Sequence, residues 1–162
     1  MNSLQTLCGQ VPAQLAGVIF DCDGVLIDSR EANAEYYNRI LRALNLPDLT
    51  EEQEAYTYMA TVSESLAHIT PVELQGRLPE ICQKNVNYMR DIMPLIRLET
   101  GIMDFLTFLI ERGVRCAVHT NRSSGMAVVV DAFKLRRYFD PVVTAVMVKP
   151  KPAPDGVRYI LQ

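Results

Sequence analysis

The sequence predicts an α/β protein: a core of parallel strands joined by crossover helices, with an all-helical block inserted after the first strand. Three observations lead there. A short apolar run ending at Phe20 gives way abruptly to the acidic turn Asp21-Cys22-Asp23-Gly24. From Arg30 to Ile96 the patterned segments have helical period and none reads as a strand. Beyond Leu98, strand and helix signals alternate, the mark of parallel pairing through right-handed crossovers.

Residues 1–16 are a weakly patterned lead-in, and Gly17–Phe20 is the first buried strand. Gly24 then lets the backbone turn sharply and leaves room for a ligand to approach. In residues 30–45, Tyr36, Tyr37, Ile40, Leu41 and Leu44 fall on one helical face. Leu46-Pro47-Asp48 breaks that helix, and Thr50-Glu51-Glu52-Gln53 reads as the capped start of the next. Helical stretches follow over 51–59, 62–69 and 71–93, the last interrupted near Leu78-Pro79. Residues 102–112 form an amphipathic helix stopped by Gly113, and 114–120 a second buried strand ending in Thr120-Asn121. A helix over 123–137, a third strand over 141–148, a rigid proline-rich turn over 149–154 and the start of a further helix complete the chain. No internal repeat interrupts this order.

Composition narrows the function classes. The chain has 162 residues, enough for one domain or a small core with an insertion, and is 49% hydrophobic and 22% charged, as soluble globular proteins are. A net charge of −3 and a pI of about 5.4 give no basic surface for nucleic acid or anionic membrane. No apolar run is long enough for a transmembrane helix, and the first fifteen residues lack the pattern of a secretory signal. Cys8, Cys22, Cys82 and Cys116 have no paired spacing, which argues against zinc or a disulfide framework and fits a reducing cytoplasm. Cys22, between two aspartates, is a packing residue whose thiol should be hard to ionise.

The chemistry sits at three strand ends, where ligands of parallel sheets bind. Alternation along the first strand carries Asp21 and Asp23 to the same side, and two adjacent carboxylates call for a cation between them. Mg²⁺, an oxygen-seeking ion that keeps several waters, is the natural candidate. A calcium loop is excluded, since its sixth and twelfth positions would be Leu26 and Ala32 instead of Gly and Glu. Asp21 suits a nucleophile, Asp23 a general acid/base, Thr120 a phosphate hydrogen-bond donor and Lys151 a fixed positive charge. Together they suit phosphoryl transfer, where positioning and electrostatic stabilisation do most of the catalysis. An aspartate nucleophile divides one hard displacement into two easier ones through an aspartyl-phosphate.

These motifs resemble the haloacid dehalogenase superfamily, and within it the phosphatases with a helical cap after the first motif. VIFDCDGVLIDS is similar to the first motif and runs through Asp28-Ser29 into the cap, and AVHTNR fits the second, with Thr120 in the hydroxyl position. KPKPAPD fits the third, Lys-Pro-x-Pro-Asp; Lys149 and Lys151 both begin a Lys-Pro-x-Pro, and Lys151 is preferred because Asp155 follows it in the family position. The dehalogenases proper lack the second aspartate and the metal, so Asp23-Gly24 points to phosphoryl transfer. The resemblance implies a Rossmann-like core over residues 1–28 and 97–162 and a helical cap over 29–96. It implies a Mg²⁺ site using the Asp21 carboxylate and the Asp23 backbone carbonyl, with backbone groups near Gly24 and Asn121 helping to bind phosphate. The expected activity is Mg²⁺-dependent hydrolysis of a small phosphorylated metabolite, the overall layout being most like phosphoglycolate-type phosphatases. A phosphomutase, or a non-catalytic protein that binds phosphate or a partner, are the alternatives.

The family's fourth motif, an acidic strand end shortly after the third, has no counterpart before Gln162. The C-terminal part of the core is thus expected to be missing, leaving the first strand as a sheet edge. A truncated chain, or a homo-oligomeric or other partner covering that strand, would answer for it.

Other polar residues have plainer readings. His119 and His68 are structural, and Tyr36, Tyr37, Tyr56, Tyr58 and Tyr88 mostly pack the cap. Arg30, Arg77, Lys84 and Arg90 are solvated, while Arg122, beside Thr120-Asn121, is the better candidate to meet a substrate anion. Arg136 and Arg137 suit a helix C-terminus.

Overall fold

Strand β1 (Gly17–Phe20) pairs in parallel with β4 (Arg115–His119), Gly17 opposite Arg115 and Phe20 opposite Val118, and β4 pairs in parallel with β5 (Val142–Val143). The order β1-β4-β5 is the parallel α/β sheet expected from the alternating pattern, with β1 following no other strand on its far side among the described residues. The structure is a computed structural model that describes residues 15–123 and 125–162. The readings of residues 1–14 as a lead-in without a secretory signal, and of Cys8, lie outside them.

The expected third strand over 141–148 shortens to two residues. The last rung joins Thr120 N to the Val143 carbonyl; beyond it Ala145 N bonds to Arg122 O and Met147 N to Thr144 O. Once β4 leaves its extended path at Thr120, β5 has no ladder to follow and curls over the Arg122 loop instead.

Between β1 and β4 the chain forms helices α1 (Arg30–Ala43), α2 (Glu51–Met59), α3 (Val62–Ile69), α4 (Val72–Gln75) and α5 (Leu78–Asn85). The predicted cap at Thr50 is a complete capping box with Gln53, and Thr61 with Glu64 forms a second. The stretch over 71–93 breaks twice. Pro79 can open a helix but not continue one, so α5 starts there. At Val86-Asn87 the backbone extends, and the Asn87 side chain accepts from Arg90 N to start a π-helical turn, Tyr88–Ile92. That second break has no proline and was not legible in the pattern.

Two short strands escaped sequence reading. β2 (Ile27–Asp28) and β3 (Arg97–Leu98) pair antiparallel, Asp28 opposite Arg97, where the helical segment leaves and re-enters the sheet region. Then α6 (Ile102–Glu111) buries Ile102, Leu106 and Leu109, spaced four and three apart, against the sheet. The helix expected over 123–137 is α7 (Gly125–Ala132) plus a 3₁₀ turn, Leu135–Arg137, separated where Lys134 takes a left-handed φ of 55°. The last helix is α8 (Asp155–Ile160).

Two apolar clusters form the interior. One gathers Phe20, Leu106, Leu109, Val118, Val129 and Leu135 around the sheet. The other packs Tyr37, Ile40, Leu41 and Leu44 of the α1 face with Leu66 and Ile69 of α3. Leu106 and Ile40 are fully buried, and each such side chain contributes about 1.5–3 kcal/mol by leaving water. No helix among the described residues is long and apolar enough to cross a membrane.

Candidate active site

The first motif is built as a tight turn. The Cys22 carbonyl accepts from the backbone N–H of both Leu26 (2.8 Å) and Ile27 (3.1 Å), while Gly24 N donates to Ile27 O at 2.8 Å. Gly24 has φ +73°, and a Cβ there would lie 3.3 Å from the Tyr58 hydroxyl oxygen, so this position suits glycine both by backbone and by space. Cys22 is fully buried beneath the turn. Burial first, and the Asp23 charge second, push its thiol up to about 12, as its position between carboxylates suggested.

Each aspartate has its own cation. Lys151 Nζ lies 2.6 Å from Asp21 Oδ2, and Asp21 Oδ1 accepts from Cys22 N at 2.7 Å. Arg122 holds Asp23 through Nε, 2.9 Å from both carboxylate oxygens, and Nη2, 2.7 Å from Oδ1; Ser29 Oγ donates to the same Oδ1. The sequence alone suggests one cation between two parallel carboxylates. Strand alternation ends at Phe20, however, and past it the turn gives each carboxylate a separate cationic side chain. Lys149, the other register of the third motif, is exposed.

Arg122 was expected to face a substrate anion. Its guanidinium is instead committed to Asp23 and, through Nη1, to the hydroxyl oxygen of Tyr88 at 2.7 Å. Burial works to lower its pKa, but the hydrogen bonds and charge of Asp23 outweigh this and keep it above its ordinary value. Asn121 joins three segments: its Oδ1 accepts from Lys151 N at 2.8 Å, and its Nδ2 donates to Lys151 O and to Met59 O of α2. The buried Thr120 accepts from Arg122 N through Oγ1 at 3.1 Å, which leaves its O–H proton available. His119 is buried with no partner for Nε2, and its ring lies on α8: a Cβ at Gly156 would come within 2.1 Å of that nitrogen. It is a packing residue, as read from the sequence. Burial first, then Lys151, lowers its pKa.

Sequence reasoning missed two contributors. In the sequence Ser29 is only part of a motif, yet it is fully buried with its hydroxyl on Asp23. The tyrosines were assigned mostly to packing, yet Tyr36, Tyr37, Tyr58 and Tyr88 all line a cavity of about 460 Å³ that also meets Asp23, Asn121 and Arg122. Helical period finds buried faces but does not distinguish a packed face from one that walls a cavity. Tyr56 alone lies elsewhere, exposed and stacked on His68.

An aspartate turn at the carboxyl end of a parallel strand, with a lysine from a later loop against it, is the architecture of one hydrolase class. The chain belongs to the haloacid dehalogenase-like hydrolase family, whose model matches residues 18–162. Among solved structures it resembles a HAD-superfamily hydrolase of subfamily IA, variant 1, from Geobacter sulfurreducens PCA at 38% identity and a TM-score of 0.67, covering 91% of this chain and 71% of that one. It also resembles CbbY from Rhodobacter sphaeroides, solved with phosphate, at 26% identity and a TM-score of 0.72 (91% and 72% covered). A predicted phosphoglycolate phosphatase from Haemophilus somnus 129PT shares the fold, with 20% identity and a TM-score of 0.70 (91% and 70% covered). No curated protein matches the chain.

Proposed function

We propose that this chain is a phosphatase that hydrolyses a small phosphomonoester, with Asp21 as nucleophile and Mg²⁺ as its cofactor. The observation that carries the reading is the Lys151–Asp21 contact of 2.6 Å at the sheet's carboxyl edge, on a carboxylate still 44% exposed. A nucleophile that is itself negative needs a fixed positive charge to approach a phosphate dianion, and must remain accessible to it.

The residues fit the ion. The Asp21 carboxylate keeps unshared lone pairs beyond its two contacts, and the Asp23 backbone carbonyl is the second donor. Mg²⁺ is content with one or two such oxygens plus water and substrate phosphate. When bound, the ion would offset phosphate charge.

The remaining steps belong to the chain. Asp21 Oδ attacks phosphorus and the bond from phosphorus to the leaving oxygen breaks, giving an aspartyl-phosphate and an alcohol protonated by Asp23. Asp23 then takes a proton from water as that water attacks phosphorus, and Asp21 is regenerated with release of phosphate. Thr120 Oγ1–H donates to a phosphoryl oxygen. Arg122 and Ser29 occupy the Asp23 carboxylate oxygens, so to act as acid Asp23 has to turn from them toward the leaving oxygen. The helical segment over 29–96 acts as the cap, closing on the site from the side of Tyr58 and Tyr88.

Phosphate release from a panel of phosphomonoesters, with and without Mg²⁺, tests this for the wild type and for Asp21→Asn. Metal-dependent release abolished by the substitution is expected. No release from folded wild-type protein, or full release by Asp21→Asn, would refute it.

A further inference from the structure

The cavity beside Asp23 has walls of a particular kind. Tyr36, Tyr58 and Tyr88 present aromatic surface, Val62, Val128 and Ile92 aliphatic surface, and its 460 Å³ is of a size to take a small molecule with a ring or longer chain. Arg122 is its one cationic lining residue among those described, and all its guanidinium nitrogens already have partners in Asp23 and Tyr88. None of Arg39, Arg42, Arg77, Lys84 and Arg90 of the helical segment lines the cavity, and Arg39 pairs with Glu35 and Asp91, Arg42 with Glu35 and Asp48, Lys84 with Glu80 and Arg90 with Asp91. Arg30 lies over the Tyr58 ring, 4.8 Å from its centroid, and is not a lining residue. The wall itself contributes a carboxylate, Asp23.

A second anionic group on the substrate would therefore enter a space whose one lining cation is already matched by Asp23, and burying a charge unpaired is costly. A neutral alcohol with an apolar face meets the opposite situation. The Tyr88 hydroxyl accepts from Arg122 and keeps its own proton to donate to a neutral oxygen. Burial raises the pKa of Tyr36, Tyr58 and Tyr88, so all three stay uncharged at neutral pH.

We infer that the leaving group of this site is an uncharged alcohol with an extended apolar or aromatic face, so that its substrates are neutral-alcohol phosphomonoesters and not phosphocarboxylic acids or bisphosphates. The inference rests on the phosphatase reading for its chemistry, and it sets this chain apart from the phosphoglycolate-type activity that the overall layout suggested.

Calorimetric binding to the Asp21→Asn protein with Mg²⁺ tests it, using phenyl phosphate, 2-phosphoglycolate, fructose 1,6-bisphosphate and inorganic phosphate. Phenyl phosphate is expected to bind at least tenfold tighter than 2-phosphoglycolate and the bisphosphate, and tighter than phosphate itself. Val62→Lys, which brings a cation to the cavity wall, is expected to narrow that ratio about tenfold. Equal or tighter binding of either anionic ester, or no binding of phenyl phosphate, would overturn the inference. Wild-type turnover separates the two readings. Preferential binding of phenyl phosphate without release of phosphate supports the ligand class and sinks the phosphatase, whereas release that is fastest from 2-phosphoglycolate does the reverse.

Discussion

Arg122→Met removes the guanidinium while keeping an apolar chain of similar length. Asp23 then loses three contacts of 2.7–2.9 Å and retains the Ser29 hydroxyl as its side-chain partner. Truncating one member of a buried ion pair costs about 3–5 kcal/mol, because the other charge stays behind. Here the Arg122 and Asp23 side chains are 16% and 22% exposed, so water reaches part of the orphaned carboxylate. We expect a loss of about 2–3 kcal/mol. At about 2–4 °C per kcal/mol for a chain of this size, the melting midpoint falls by about 4–12 °C. Circular dichroism at neutral pH measures it, and the double variant Arg122→Met/Asp23→Asn should recover much of the loss, since it leaves no charge behind. A single variant melting within 2 °C of wild type, or a double-mutant cycle without coupling, would refute the claim that this pair is desolvated and mutually dependent.

Gly156→Ala places a methyl 2.1 Å from the His119 Nε2 position and 2.3 Å from its Cδ2. It should destabilise by about 1–3 kcal/mol, with His119→Ala relieving it in the double variant; an unchanged urea midpoint would contradict the packing. Burial pushes Tyr37 up to about 12 and raises Tyr36 further above its ordinary 10.0. Raised acid constants favour the protonated form in the fold, so their contribution is complete below about pH 10 and is lost as pH climbs through the folded values. Absorbance at 295 nm should thus show these two phenols ionising only with unfolding, and two tyrosinates forming near pH 10 in folded protein would count against it. Lys151→Ala should reduce phosphate release by about 10²-fold or more while Lys149→Ala leaves it within about twofold, and equal losses would return the third motif to its open register.

The fold was legible where pattern and backbone signals coincide. The apolar run before Asp21, the Ile102–Leu106–Leu109 spacing and the Thr50 cap each have a local cause that a sequence displays. β2, β3 and the break at Asn87 did not show, because a two-residue ladder and a side-chain cap are settled by what the chain meets in three dimensions. In the site, Asp21 and Lys151 were found through motif and strand-end position. Ser29 and Tyr88 were not, since a hydroxyl turned onto the Asp23 carboxylate or onto the Arg122 guanidinium leaves no periodic trace. Arg122 was noticed for its place beside Thr120, yet its partner lies 99 residues away in the chain, and only the folded contact shows that its charge is already matched.

The little ribbon of β2 and β3 has a consequence for how such a protein can change. Asp28 and Arg97 face each other across a single rung, so everything between them departs from one spot on the frame and returns to it. With its ends fastened together, an excursion of chain can vary in length and content at small entropic expense to what it is fastened to, because closure entropy grows only slowly with loop length. The sheet and the Lys151–Asp21 pair then form a chassis with one socket. Replacing the whole excursion between Asp28 and Arg97 would leave the β1–β4 register where it is but would take away Ser29, Tyr58 and Tyr88 together, so the cavity wall and the hydroxyls that meet Asp23 and Arg122 change as one piece.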